Sequence, residues 1–169
     1  MPTTSADPAC TYLEAARSRV VIYDGGAGTW LQRQELTADD FGGPDLDGCN
    51  ELLNVTRPDV VTAFHDAFLA VGVDVVETNT FGSFGVPLAE YGIADRAHEL
   101  SRAGAELARA AADRWSTPDH PRWVAGSMGP GTKFPSLGQI GFDELVDQYE
   151  TQARGLLAGG VDLLLVETQ

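Results

Sequence analysis

Four apolar runs of strand length each end in a polar residue able to do chemistry, and no other feature narrows the fold of this chain so far. They are VVIYD ending at Asp24, VDVVETN ending at Glu77 to Asn79, WVAGS ending at Ser127, and VDLLLVETQ ending at Glu167 to Gln169. An amphipathic helical stretch lies between each run and the next. Such alternation predicts a parallel sheet, with the polar residues gathered at the strand C-terminal ends, where barrel enzymes keep their chemistry. The fold class expected is α/β, the first half (about four strand-helix units) of a TIM-type (β/α)8 barrel. With 169 residues the chain is shorter than the roughly 250 of a complete barrel. It therefore reads as a lead-in over 1–19 and a half-barrel over 20–169, truncated at its C-terminal end.

The connecting segments carry their own signals. Tyr12 to Arg19 reads as a short helix closing the barrel bottom, and Val20 to Asp24 as the first strand. Gly25, Gly26 and Gly28 permit a tight turn and a close backbone approach to a ligand. The Gly- and Asp-rich segment from Thr37 to Asn54 reads as a long loop with short helical pieces. Thr56 with Asp59 resembles a capping box, followed by Val60, Phe64, Phe68 and Val71 at helical spacing and a stop at Gly72. A second helix is expected from Ile93 to Trp115. A third uses Leu145, Tyr149, Ala153 and Leu156 and ends at Gly159-Gly160.

Charge and cysteine usage exclude several classes. The formal charge of −14, with 11 basic residues among 25 acids, argues against nucleic acid, which needs clustered Lys and Arg. Cys10 and Cys49 are too few for a metal knuckle or a disulfide framework. No stretch has the roughly 20 apolar residues of a membrane span or the apolar core of a signal peptide. A cytoplasmic protein without a membrane partner is the expectation.

Asp24, at a strand end before two glycines, can accept from an ammonium while bare backbone N–H groups meet a carboxylate, which suits an amino acid; it equally suits a turn aspartate capping its own loop. Glu77 and Glu167 would face the same rim. Three carboxylates at one mouth repel one another unless a cation shares the site, or unless some of them pair with backbone N–H groups or a base such as Lys133. Ser127 lacks a nucleophile elbow, and His65 and His98 read as helix-surface residues, so no catalytic residue is assigned.

The ordered motifs DGGAGTWLQ, GCNELLNVTRPDV, ETNTFGS, GSMGPGTKFPSLG and GGVDLLLVETQ closely resemble the homocysteine-binding barrels of the homocysteine S-methyltransferase family, those of cobalamin-dependent methionine synthases in particular. The resemblance covers about residues 20 to 169. It implies a methyltransferase that moves a methyl group from methylcobalamin, recharged by 5-methyltetrahydrofolate, to homocysteine, giving methionine. It also implies that Asp24 and Glu167 hold the amino group and the backbone of Gly25 and Gly26 the carboxylate; Glu77, Asn79 and Ser127 join the substrate-binding set from their place at strand ends. Where the family commonly reads Asp-Gly-Ala-Met-Gly-Thr, this chain has Gly26 and Ala27 at the third and fourth places.

By the same resemblance, zinc is held by three cysteines in the second half of the barrel, so its ligands are expected downstream and no metal ligand is assigned here. The cobalamin and methyltetrahydrofolate modules are likewise absent from these residues. The fragment alone is expected to be inactive and, with open strand edges, self-associating. Two other readings stay open: a homocysteine or other thiol methyltransferase with another donor, and a non-enzymatic half-barrel serving as a binding or assembly module.

Overall fold

The computed structural model describes residues 8–168, without the side chains of residues 8–11; the first seven residues of the lead-in, the Cys10 side chain and Gln169 lie outside that description. Helix α1 (Pro8–Ser18) leads into an extended stretch, then α2 (Ala27–Gln32), α3 (Ala38–Phe41), α4 (Leu53–Thr56) and α5 (Pro58–Ala70). Strand β1 (Val75–Glu77) is followed by α6 (Gly85–Ala89), α7 (Ala97–Trp115), β2 (Trp123–Met128), α8 (Phe142–Ala158) and β3 (Leu163–Val166). The strands form one sheet in the order β1-β2-β3, with both pairings parallel. The expected parallel α/β arrangement is present.

The first run is less regular than the expected strand. Tyr23 bridges Val75 in parallel, the Asp24 N–H donates to Val75 O, and Ile22 O accepts from the amides of Asp74 and Val75. Among the described residues one neighbour alone pairs with this stretch, and Val20 stays 81% exposed, so the ladder is short.

Alternation along the strands makes two faces. Val75, Trp123 and Ala125 form one cluster with Val21, Tyr23, Leu163 and Leu165. Helix α1 covers it at the N-terminal end of β2, where Tyr12 stacks edge-on to Trp123 and shares a 2.8 Å hydrogen bond with the Tyr23 hydroxyl. Val76 and Val124 face the other way, against Leu69 of α5 and Ala108, Ala111 and Ala112 of α7. The predicted stripe on α7 is buried or half-buried along its length.

Small residues bring α7 and α8 unusually close. A Cβ on Gly155 would stand 2.7 Å from His98 O, and one on Gly159 would stand 2.5 Å from the Ala105 Cβ. Segment 37–54 is built of short helical pieces, as expected, and is anchored by buried Phe41, Cys49, Leu52 and Leu53.

Three local readings are corrected. Thr56 does not cap α5: it closes α4, donating to Leu52 O, and Asp59 pairs with Arg57 instead. Helix α5 opens on Pro58, whose missing N–H costs nothing at a first helical position. Val71 is 80% exposed because the helix has ended at Ala70 and Leu69 takes the inward place. His65 is no surface residue. It is 0% exposed, with its ring 5.1 Å from Phe64, because α5 is covered by two neighbours and buries two adjacent rows. His98 is exposed, as expected.

Among the described residues no helix is long and apolar enough to cross a membrane. At the strand N-terminal end, Asp74 accepts two 2.8 Å bonds from Arg19, one from the Ile22 N–H, and contacts His120 Nε2. Burial would raise its pKa; these partners outweigh it and hold the carboxyl at about 2.

Neither His65 ring nitrogen has a partner among the described residues, and burial pushes its pKa down to about 4. A neutral buried imidazole charges on unfolding below its ordinary pKa of about 6.5, so it withdraws stability as pH falls from about 6.5 to 4. His65→Leu is expected to raise stability by about 1 kcal/mol at pH 7 and by more at pH 5. Urea titrations of both proteins at the two pH values check this; an unchanged gap between them contradicts it.

Candidate functional site

A cavity of about 450 Å³ opens at the C-terminal ends of the strands, and Asp24, Gly25, Gly26, Glu77, Asn79, Ser127 and Glu167 all line it. All seven substrate-binding candidates from the sequence thus meet in one place. Ala27, Gly28, Leu31, Asn50, Glu51, Phe64, Thr78, Thr80 and Phe81 complete the wall. No Lys or Arg does so; Lys133 stands exposed on the loop after β2.

Each acid owes its place to a strand end. Both oxygens of Asp24 accept the Glu77 N–H at 3.1 Å, so Asp24 ties the first extended stretch to the second rather than capping its own turn. Burial raises its pKa to about 8; the Glu77 N–H works against this, and the neighbouring charges of Glu77 and Glu167 add to it. Glu77 is pushed up to about 7 by burial and then by Glu167, with no donor among the described residues to offset them. Glu167 follows β3, where its N–H donates to Met128 O and its carboxylate accepts a 2.5 Å bond from Ser127 Oγ.

The glycine pair exposes backbone. Among the described residues neither the Gly25 nor the Gly26 N–H donates to another backbone group. No atom lies within 4 Å of where a Gly26 Cβ would stand, so the departure from the family's usual third residue leaves open space.

Asn79 lines the cavity yet spends its side chain on the fold. Its Nδ2 donates to Asn50 O and Asn54 Oδ1, while Asn54 Nδ2 returns a bond to Asn79 O. Glu51 was missed by the sequence reading. Its carboxyl accepts the Gly82 N–H at 2.8 Å, and burial pushes its pKa up. Glu51 lies in a 3-10 turn inside the segment read as loop, with no apolar run before it to mark it.

Metal chemistry finds no support in these residues. Among the described residues no group of three His, Cys, Asp or Glu could hold a metal ion. Cys49 is buried, and burial followed by the Glu51 charge pushes its thiol up to about 11, the reverse of what a thiolate ligand needs.

Residues 21–169 match the family model described as homocysteine S-methyltransferase. Over 156 residues the chain is 51% identical to a methionine synthase of Mycobacterium leprae (strain TN) and 49% identical to one of Mycobacterium tuberculosis (strain ATCC 25618 / H37Rv). Each alignment covers 92% of this chain and 13% of the relative, so the chain spans about an eighth of those proteins. Among solved structures, the metallated form of the homocysteine methyltransferase MmuM from Escherichia coli superposes with a TM-score of 0.72 at 20% identity, covering 95% of this chain and 57% of that one. Its oxidized form gives 0.70 at 19% identity, covering 93% and 55%. The fold is shared with those enzymes, and the family match over nearly the whole sequence shows that this chain belongs to the homocysteine S-methyltransferase family.

Proposed function

We propose that the chain is the homocysteine-holding part of a longer methionine synthase, a methyltransferase that makes methionine. Residues 20–169 would form the N-terminal half of its barrel. The observation that carries this reading is the cavity in which Asp24, Glu77 and Glu167 converge without a basic residue on the wall. Protons retained by Asp24 and Glu77 relieve the repulsion among the acids when no ligand is bound; an ammonium group relieves it by direct charge-assisted hydrogen bonds. The amino group goes to Asp24 and Glu167, the carboxylate to the N–H groups of Gly25 and Gly26, and Ser127 steadies Glu167. Asn79 and Glu77 shape the wall.

The reaction's remaining parts belong to other residues of such a protein. Bound zinc would supply a thiolate by lowering the thiol pKa, but the described residues do not fit it. The donor we infer, methylcobalamin recharged by methyltetrahydrofolate, needs modules of its own. Identity near 50% to methionine synthases, against 19–20% to the homocysteine methyltransferase structures, favours this donor over another.

Three outcomes test the proposal. In the full-length protein, Glu167→Gln is expected to weaken homocysteine binding about tenfold or more, the worth of one charged hydrogen bond, with zinc content unchanged; equal affinity by calorimetry removes Glu167 from the site.

Because the acids with raised pKa must lose protons to meet an ammonium, affinity should rise from pH 6 to about 8, with proton uptake by the buffer on binding. For the same reason, Asp24 and Glu77 withdraw stability from the unliganded fold as pH rises from about 4, the ordinary carboxylate pKa, to about 7 to 8, where the loss is complete. Asp24→Asn should then stabilise the unliganded protein above pH 8 and reduce that proton release to the share from Glu77. A flat affinity profile, or a variant destabilised at high pH, counts against the assignment.

Finally, the 169 residues expressed alone should self-associate, since Val20, Ile22, Leu164 and Val166 stand exposed along the two sheet edges. A monodisperse monomer with a cooperative melt at high temperature contradicts the half-barrel.

A further inference from the structure

We infer that Gln152 is a positioning residue for the acid wall, acting through Ser127 on Glu167 and through Thr80 on the loop that follows Glu77; the inference rests on the proposed homocysteine site. Gln152 lies in the middle of α8, is 0% exposed, and does not line the cavity. Its Nε2 donates to Thr80 O at 2.7 Å and reaches Ser127 O at 3.4 Å.

Those two carbonyls belong to a closed circuit. Thr80 Oγ1 donates to Ser127 O at 2.8 Å, and the Ser127 N–H donates to Thr78 Oγ1 at 3.0 Å. The 2.6 Å contact between the two threonine hydroxyls then has one direction: Thr80 has spent its hydrogen, so Thr78 donates. Ser127 is held at both its N–H and its carbonyl, which leaves its Oγ one task, the bond to Glu167 Oε1. Gln152 is the one member of the circuit that comes from a helix, and it ties the ends of β1 and β2 to α8.

Packing alone does not account for it. The Gln152 Oε1 is buried without a partner among the described residues, and an unsatisfied buried acceptor is destabilising. Methionine would fill nearly the same volume without that cost. The amide is needed for its donor end.

Gln152→Met in the full-length protein is the test, read by calorimetric titration with homocysteine, by melting temperature, and by a cycle with Ser127→Ala. The expected result is a loss of affinity of about tenfold, melting close to wild type because lost donor and lost orphan acceptor offset each other, and less than twofold further loss in the Ser127→Ala background. Wild-type affinity, or an equal loss in both backgrounds, overturns the inference.

If wild-type protein itself fails to bind homocysteine, the functional reading fails separately. Hydrogen exchange of the unliganded proteins then decides: faster exchange confined to the peptides around Ser127 and Glu167 supports the positioning role, and no change there overturns it. If Gln152→Met does not fold, Gln152→Glu substitutes. While protonated, its acid can still donate to Thr80 O, so its affinity should match wild type at low pH and fall behind as pH rises; a ratio that does not change with pH overturns the inference.

Discussion

Carrying a carboxylate to the buried end of a strand is unfavourable, and most of this architecture follows from how the Asp24 carboxylate is accommodated. Its oxygens turn to the Glu77 N–H, so one of the contacts that anchor the first extended stretch to β1 also fixes two acids of the cavity wall. Burial still prevails, since the backbone N–H groups of Glu77 and Asp24 do not compensate a desolvated charge, and the carboxyl stays protonated to about pH 8. The unliganded site therefore holds a proton where a cationic ligand would sit. Stability and binding draw on the same residues in opposite directions, a trade often met at functional sites.

Beside and behind the acids stands a layer of buried polar residues. Asn54, Thr78, Asn79, Thr80, Ser83, Ser101, Ser127 and Gln152 are all buried, and most of their hydrogen bonds run between segments rather than along them. Ser101 of α7 meets Ser83, Asn54 reaches Leu100 O, and Gln152 reaches Thr80 O. These bonds require close approach. Gly104 permits it directly, because a Cβ there would stand 2.6 Å from the Thr80 Cγ2, and the close seam of α7 and α8 at Gly155 and Gly159 lets α8 sit deep enough for Gln152 to arrive. Polar networks of this kind are stabilising when nearly every member is satisfied.

The sequence made the scaffold legible where one physical signal dominated. Apolar runs ending in Asp24, Glu77, Ser127 and Glu167 placed the strand ends, because a strand flanked by helices must be apolar throughout while its exit need not be. Helix α7 was readable from its stripe for the same reason. His65 was misread because a residue type was weighed without its neighbours: α5 is covered on two sides, and periodicity cannot tell one buried row from two. Thr56 failed as a cap because Pro58 starts the helix later. Glu51 and Gln152 carried no signal at all. One sits in an irregular segment and the other on a helix face of mixed polarity, and only the tertiary approach of distant segments gives either a role.

The acid wall also explains how a small zwitterion would choose its orientation. Reversed in the cavity, an amino acid would bring its carboxylate against Asp24, Glu77 and Glu167, and a like charge in a partly dry site is disfavoured far more than in water. Turned the other way, its ammonium would replace the protons that Asp24 and Glu77 otherwise retain, and its carboxylate would meet the N–H groups of Gly25 and Gly26. With both charged ends assigned, a side chain on the remaining tetrahedral direction of the α-carbon has its course restricted by the same contacts. In that arrangement orientation comes from repulsion as much as from attraction, and it requires that the acids be fixed rather than free to swing away. The circuit that holds Ser127, and through it Glu167, supplies that rigidity.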